Sequence, residues 1–318
     1  MLGYAVKVRQ AAALGPLIAL LVACVFFSLQ SPRFLTPENF SLIAQQVMVV
    51  GVLAIGQTLV ILTAGIDLSC GMLMALGSVL MTLLGSRGGM SPMAAIALGI
   101  GATTLAGTIN GLLVTRVKLP PFIVTLGTMN IAFALTQIVS RSQTVTDLPP
   151  VLTVLGNTMQ VGSARIAYGT VLMLALYAGV WWFLRETAAG RHVYAVGNNR
   201  EAARLSGINT ERVLLAVYAT AGLLYGLGSL LAVARTGVGD PQAGQTENLD
   251  TVTAVVLGGT SLFGGRGVVV GSLVGALIVG VFRNGLTLMG VSSVYQILVT
   301  GVLVILAVAT DQWSRKGA

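Results

Sequence analysis

The 318-residue sequence predicts an all-α protein that crosses a membrane about ten times, and three observations carry that reading. Hydrophobic residues make up 55% of the chain and mean hydropathy is +0.89, more apolar content than one water-soluble core could bury. Charged residues are only 9% of the total, and they gather between apolar runs of roughly the 20 residues that a helix needs to span the hydrocarbon layer. Many of the 40 glycines lie within those runs, where small residues let membrane helices approach closely.

The charges divide the chain. Predicted spans cover residues 12–30, 41–63, 70–85, 93–115 and 120–139, then 167–184, 213–234, 250–263, 268–282 and 292–310. Arg33 and Glu38 separate the first pair, Asp67 the second, Arg87 the third, and Arg116 with Lys118 the fourth. The third, eighth and ninth are short, so they are expected to be tilted, broken or re-entrant, which is tolerable only where protein or a water cavity covers the irregular backbone. Lys7 and Arg9 ahead of the first span imitate a signal peptide, but the apolar run continues past Cys24 through Phe27, as an uncleaved first helix would.

Orientation follows from the loop cations. Ten spans place both termini on one side, and putting that side in the cytoplasm leaves twelve Lys and Arg inside, at Lys7, Arg9, Arg116, Lys118, Arg185, Arg191, Arg200, Arg204, Arg212, Arg266, Arg315 and Lys316. Six remain outside, at Arg33, Arg87, Arg141, Arg165, Arg235 and Arg283. Topology therefore accounts for the net charge of +8, and no nucleic-acid partner is expected. Cys24 and Cys70 are the only cysteines and fall in or beside apolar runs, so they read as small buried hydrophobes; neither a disulfide framework nor a metal site is expected.

The mechanism narrows by what is missing. Lys7, Lys118 and Lys316 follow Val, Val and Arg, so no Gly-Lys-Ser/Thr phosphate loop exists and the chain cannot hydrolyse ATP through one. An ion-coupled carrier keeps paired ionisable groups inside its spans, where an isolated charge costs at least about 2.5–3.5 kcal/mol. Here nearly every charge sits at a boundary; Asp67 is the clearest partial exception, and Arg283 falls at or just inside a span end. The single histidine, His192, reads as a surface residue of a hydrophilic loop. No convergent nucleophile, base or metal set marks a membrane enzyme, so no catalytic residue is expected.

That loop, 185–212, concentrates eight charged residues between apolar runs. Asn199 is placed to cap a short helix through Arg200, Glu201, Ala202, Ala203, Arg204, Leu205 and Ser206, Glu201 favours the positive end of its dipole, and Gly207 is placed to stop it. Asn209 or Thr210 then caps the next span. A helix this short has little stability alone, so a partner is expected to order it. From the residues alone, a plain solvated connector explains the loop equally well.

The run 190–208, GRHVYAVGNNREAARLSGI, resembles the cytoplasmic loop of ribose-type permeases of bacterial ABC importers. Thr63 to Gly71 resembles the family's GGIDLSVG block, departing at Ala64 and Cys70; Pro120 to Thr128 resembles PPFIVTLGT; Leu249-Asp250 with Gly258 to Gly267 resembles LDAIAAVVLGG followed by a Gly-rich turn. The resemblance implies a type II-like importer permease forming a single transmembrane domain over 1–318, paired with a second permease copy, identical or a sister, in the bacterial cytoplasmic (inner) membrane with its lipid. It further implies a separate ATP-binding cassette subunit that uses ATP and Mg, so that this chain binds no cofactor itself, and a periplasmic or extracellular sugar-binding protein. It makes the 185–212 loop the coupling loop, with Asn199 through Gly207 as the coupling helix and Arg200 and Arg204 as polar contacts to the ATPase.

Other site readings are coarser. Asp67 is read as the cap of a helix starting near Leu68, with contact to substrate or gate as the alternative. Gln57, Thr63, Asn110, Thr125, Asn130, Gln137 and Asn284 join it as candidates for a sugar path, each also explicable as interhelical glue worth about 0.6 kcal/mol. Arg33, Glu38, Arg87, Arg235, Asp240 and Glu247 are the candidates for docking the binding protein. Gly65–Gly71 aligns with Gly259–Gly265 at an offset of 194, a weak internal duplication or two independent Gly-rich turns. TLVILTAGIDLS, GRHVYAVGN and SLFGGRG look closest to a fructose-type branch; a stand-alone secondary or facilitative carrier is the alternative function, with a channel behind it.

Overall fold

A computed structural model describes the backbone of residues 2–316 and the side chains of 15–306, 308, 309 and 312. Met1, Gly317 and Ala318, and the side chains of the predicted cytoplasmic cations Lys7, Arg9, Arg315 and Lys316, lie outside the described residues. In chain order the elements are α1 (Leu2–Gln30), α2 (Pro37–Leu62), α3 (Cys70–Ser86), α4 (Pro92–Thr115), α5 (Pro121–Ser140) and α6 (Pro150–Thr153), which runs into a 3-10 turn. A hairpin of β1 (Thr158–Val161) and β2 (Ala164–Ala167) leads into α7 (Tyr168–Glu186), α8 (Ala188–Asn198), α9 (Arg200–Leu205), α10 (Thr210–Thr236), α11 (Glu247–Leu257), α12 (Val269–Leu288) and α13 (Ser293–Lys316).

Each predicted apolar segment overlaps one helix, namely α1 to α5, α7 and α10 to α13. Among the described residues, five of these, α2, α4, α5, α10 and α12, are long and apolar enough to cross a membrane. The ninth segment was read too short, because α12 continues past residue 282 to Leu288. Short readings of the third and eighth hold, with α3 at 17 residues and α11 at 11.

Helix starts follow local chemistry. Thr36 and Ser91 accept hydrogen bonds from the amides of Asn39 and Ala94, and proline occupies the first turn of α2, α4 and α5, where its missing N–H costs nothing. Gly237, at φ +71°, ends α10 in the left-handed conformation.

Packing makes α2 the axis of the bundle, since 89% of its most apolar stretch is buried against α7, α10, α11 and α12. In α4 and α5 only 22% is buried, so their apolar faces point outward. No hydrophobic force separates helix from lipid, so close contact holds the bundle together. On α4 and α10, Gly107 lies against Tyr218 and Gly222, and Gly226 against Ile100 and Thr103, positions where a Cβ would strike the facing helix.

Two features escaped the sequence. The hairpin pairs Thr158 with Ala167 and Val161 with Ala164, and its Arg165 carbonyl accepts from Ser41 Oγ at the start of α2. The charged loop 185–212 holds a second helix, α8, whose start is capped by Thr187 Oγ1 at 3.0 Å from the Gly190 amide. Its buried residues Gly190, Val193, Val196 and Gly197 recur at helical spacing, a pattern that two glycines conceal.

Candidate functional site

The loop end of the bundle is built from residues that have two jobs. Asn199 Oδ1 accepts from the Ala202 amide at 2.9 Å and starts α9; Gly207, at φ +86°, ends it while the Ile208 amide returns to the Ala203 carbonyl at 3.1 Å. Asn209 Oδ1 caps α10 through the Arg212 amide at 3.0 Å. The sequence therefore placed both caps correctly. It also expected a partner to order α9, whereas the chain does part of that work, burying Ala203 against Val196 of α8 and Leu214 of α10. On the side of α9 opposite Ala203, Leu205 is 75% exposed, and Arg200 at the start of the helix is exposed as well.

Arg204 grips Glu201 with two bonds, Nε to Oε2 at 3.1 Å and Nη2 to Oε1 at 2.6 Å. The hydrogen bond and charge of Arg204 hold the Glu201 carboxyl below its usual range. Because the folded value is depressed, whatever order the pair lends α9 is complete at neutral pH and is lost only as pH falls through that lowered value. Replacing Asn199 by alanine removes the cap at a cost of about 1 kcal/mol, so faster amide exchange confined to 200–206 is the expected result; unchanged protection would rule out the cap.

α8 links this helix to the bundle. Gly197 sits against the Leu62 carbonyl at the end of α2 and the Gly265 amide, which itself donates to that carbonyl at 2.9 Å. Tyr194 Oη donates to the Gly267 carbonyl at 3.0 Å. The two Gly-rich stretches aligned at an offset of 194 are thus the α2–α3 and α11–α12 turns, and they touch, Ala64 against Gly264. His192 is half-buried on α8.

The α2–α3 turn climbs back among the helices, and Asp67 is its anchor. Asp67 does not cap the helix as predicted, because α3 starts only at Cys70 with Ser69 in the cap position. Its Oδ1 instead accepts from the Ser69 amide at 2.8 Å and Ser69 Oγ at 2.5 Å, and its Oδ2 accepts from Tyr225 Oη at 3.2 Å. Three donors, rather than one, hold the irregular segment, and the surrounding helices cover it as membrane depth requires. Asn110 Nδ2 extends the network to Ser69 Oγ at 3.2 Å, Thr128 donates to Asn110 at 2.5 Å, and Thr125 Oγ1 ties the Leu68 amide to the Ile66 carbonyl. At the start of α3 the Gly71 amide and Cys70 Sγ both donate to Asn248 Oδ1 of α11.

The remaining path candidates divide by burial. Gln57, Thr63, Asn110, Thr125, Asp67 and Asn284 are enclosed within the chain; Thr63 bonds its own helix, and Asn284 pairs reciprocally with Asn39 at 2.8 and 3.0 Å. Asn130 is exposed, and Gln137 is half-buried with Nε2 donating to the Pro241 carbonyl. At the end away from α9, the docking candidates Arg33, Glu38, Arg87 and Arg235 are exposed, while Asp240 and Glu247 are half-buried.

One pair was invisible in the sequence. Arg283 lies inside α12, and its Nη1 donates to Oδ2 of the buried Asp250 of α11 at 3.1 Å. Their 33-residue separation gives no local pattern. A lone arginine in an apolar run, 33 residues after the Leu249-Asp250 block, was the signal available.

A sequence model of the branched-chain amino acid transport system permease component matches residues 39–308, from α2 through most of α13 and including both turns and the α8–α9 loop. The chain belongs to that permease family. Among similar proteins, fructose import permease protein FrcC of Rhizobium meliloti is 45% identical over 309 residues, covering 95% of this chain and 86% of that one. Ribose import permease protein RbsC of Bacillus subtilis is 40% identical, covering 94% and 92%. Galactose/methyl galactoside import permease protein MglC of Escherichia coli is 35% identical and covers 95% of both. No solved structure matches the chain. The permease is accordingly a multi-pass membrane protein whose relatives are named as transport subunits and not as enzymes.

Proposed function

We propose that this permease is the transmembrane subunit of a bacterial ABC importer carrying a monosaccharide, fructose, ribose or a similar sugar, inward across the cytoplasmic membrane. The carrying observation is near full-length similarity to permeases named for fructose, ribose and galactose import, which outweighs the amino-acid wording of the broader family. The ten apolar helices, with both termini cytoplasmic, form one domain over 1–318 that pairs with a second permease copy. A separate subunit hydrolyses ATP with Mg, and a sugar-binding protein docks opposite it, on the end bearing Arg33, Glu38, Arg87, Arg235, Asp240 and Glu247.

Within this reading α9, from Asn199 to Gly207, seats in the ATPase. Its internally packed Ala203 fixes it to α8 and α10, and its exposed surface offers Leu205 opposite that contact and Arg200 at its first turn. When the ATPase subunits close, α8 carries the displacement to the α2–α3 and α11–α12 turns, and the sugar path between permeases changes the side on which it opens. Asn130 and Gln137, the candidates that reach the surface, are the ones best placed to meet a passing sugar.

Reconstitution tests the function. Sugar flux by the permease alone, without ATPase and binding protein, would sink the importer reading in favour of a stand-alone carrier. The coupling helix has its own test in the double variant Glu201→Arg with Arg204→Glu, which preserves the internal ion pair and reverses the field presented to a partner. Weakened ATPase assembly and uptake are expected, with α9 still ordered by amide exchange. Intact assembly and uptake would remove α9 from the interface.

A further inference from the structure

We propose that the Asp250–Arg283 pair forms a sugar-contacting point inside the permease, so that this subunit itself selects for substrate hydroxyls. The inference rests on the importer reading and deepens it. Arg283 stands five residues before the end of α12, yet its side chain is 41% exposed while Asp250 is 6% exposed. A guanidinium left on a hydrocarbon-facing surface would turn towards the nearest interface, whereas this one turns inward to a carboxylate on the first turn of α11. The exposed part of Arg283 therefore faces water or a polar ligand rather than lipid.

The electrostatic setting supports that placement. Glu247, in the same first turn as Asp250, and Arg235, in the last turn of α10, lie within electrostatic range of the pair. Two acids and two arginines thus influence one another at the ends of α10, α11 and α12, although only Asp250 and Arg283 are in direct contact. Asp250 and Arg283 are joined by one bond, Nη1 to Oδ2, so the guanidinium fork keeps further donors on its exposed side. The buried Asp250 carboxylate fixes the guanidinium, and the exposed side of that planar fork donates to hydroxyl oxygens, so the anchored Arg283 matches a polyhydroxylated neutral solute. Asn248, two residues before Asp250, is committed to Gly71 and Cys70 at the start of α3, which fixes α11 relative to α3.

The test uses the complete transporter in proteoliposomes, with the double variant Asp250→Asn, Arg283→Gln. Removing both charges leaves neither one unpaired, so a purely structural ion pair predicts near-normal uptake. The proposal predicts assembled complex, ATPase activity still stimulated by loaded binding protein, and uptake reduced about tenfold or more, as loss of hydrogen bonds to a substrate hydroxyl requires. It also predicts that preference for fructose over a deoxyfructose carried by the same binding protein shrinks in the variant. Uptake within twofold of the parent, with unchanged preference, overturns the sugar contact and leaves the importer reading standing. Absence of ATP-dependent sugar uptake in the parent complex would overturn both.

Discussion

Gly197→Val is expected to disconnect ATP hydrolysis from transport. A Cβ at this position would strike the Leu62 carbonyl and crowd the Gly265 amide, and both are backbone atoms that cannot swing aside as a flexible side chain would. The branched side chain must push α8 away from the α2–α3 and α11–α12 turns, with local strain of about 1–3 kcal/mol. Losing the contact is expected to remove about 1–3 kcal/mol of coupling between the ATPase site and the path, roughly 5–150-fold. Sugar uptake per ATP hydrolysed by the reconstituted complex measures it, and an unchanged ratio would show that motion bypasses α8. Gly207→Val is a control at a glycine with open space but φ +86°; it should disturb α9 alone.

Asp67→Ala is expected to be the most destabilising single change in the membrane portion. It removes the acceptor for the Ser69 amide and Ser69 Oγ and the shorter of two acceptors for Tyr225 Oη, whose other is Gln57 Oε1 at 3.4 Å, and each buried donor left unsatisfied costs about 1–3 kcal/mol. A marked fall in thermal midpoint in detergent should follow, with a smaller fall for Asp67→Asn, which retains one acceptor oxygen. If Asp67→Ala instead leaves the midpoint unchanged and stops uptake, the residue serves substrate or gate rather than the turn. Gln57 Nε2 and Tyr218 Oη, both buried nearby without a hydrogen-bond partner among the described residues, make the region sensitive to any further loss.

How much of this was legible depended on range. Helix positions followed from runs of apolar residues, and the caps of α9 and α10 followed from Asn199, Gly207 and Asn209, because capping involves only residues three to five apart. The α8 helix was hidden by Gly190 and Gly197, which weaken helix propensity yet are required by close backbone approach in the tertiary structure. Asp67 was correctly singled out but its partners were not, since Tyr225 lies 158 residues away. The polar span residues could be named but not sorted, because burial of Gln57 and exposure of Asn130 depend on which helix face meets a neighbour. Asp250 and Arg283 required the fold itself.

The two glycines of α8 also set a ruler. Gly190 abuts the backbone of Phe183 and Leu184, and Gly197 abuts Leu62 and Gly265. Seven residues make close to two turns, so both contacts fall on one side of the helix. One residue inserted between them would rotate the second contact by about 100° and present a side chain to the Leu62 carbonyl, whereas a four-residue insertion would nearly restore the phase but displace it by about 6 Å. Neither repair recovers both angle and distance, so the span from Gly190 to Gly197 is a fixed-length part in which point changes are tolerated on the outer side and changes of length are not.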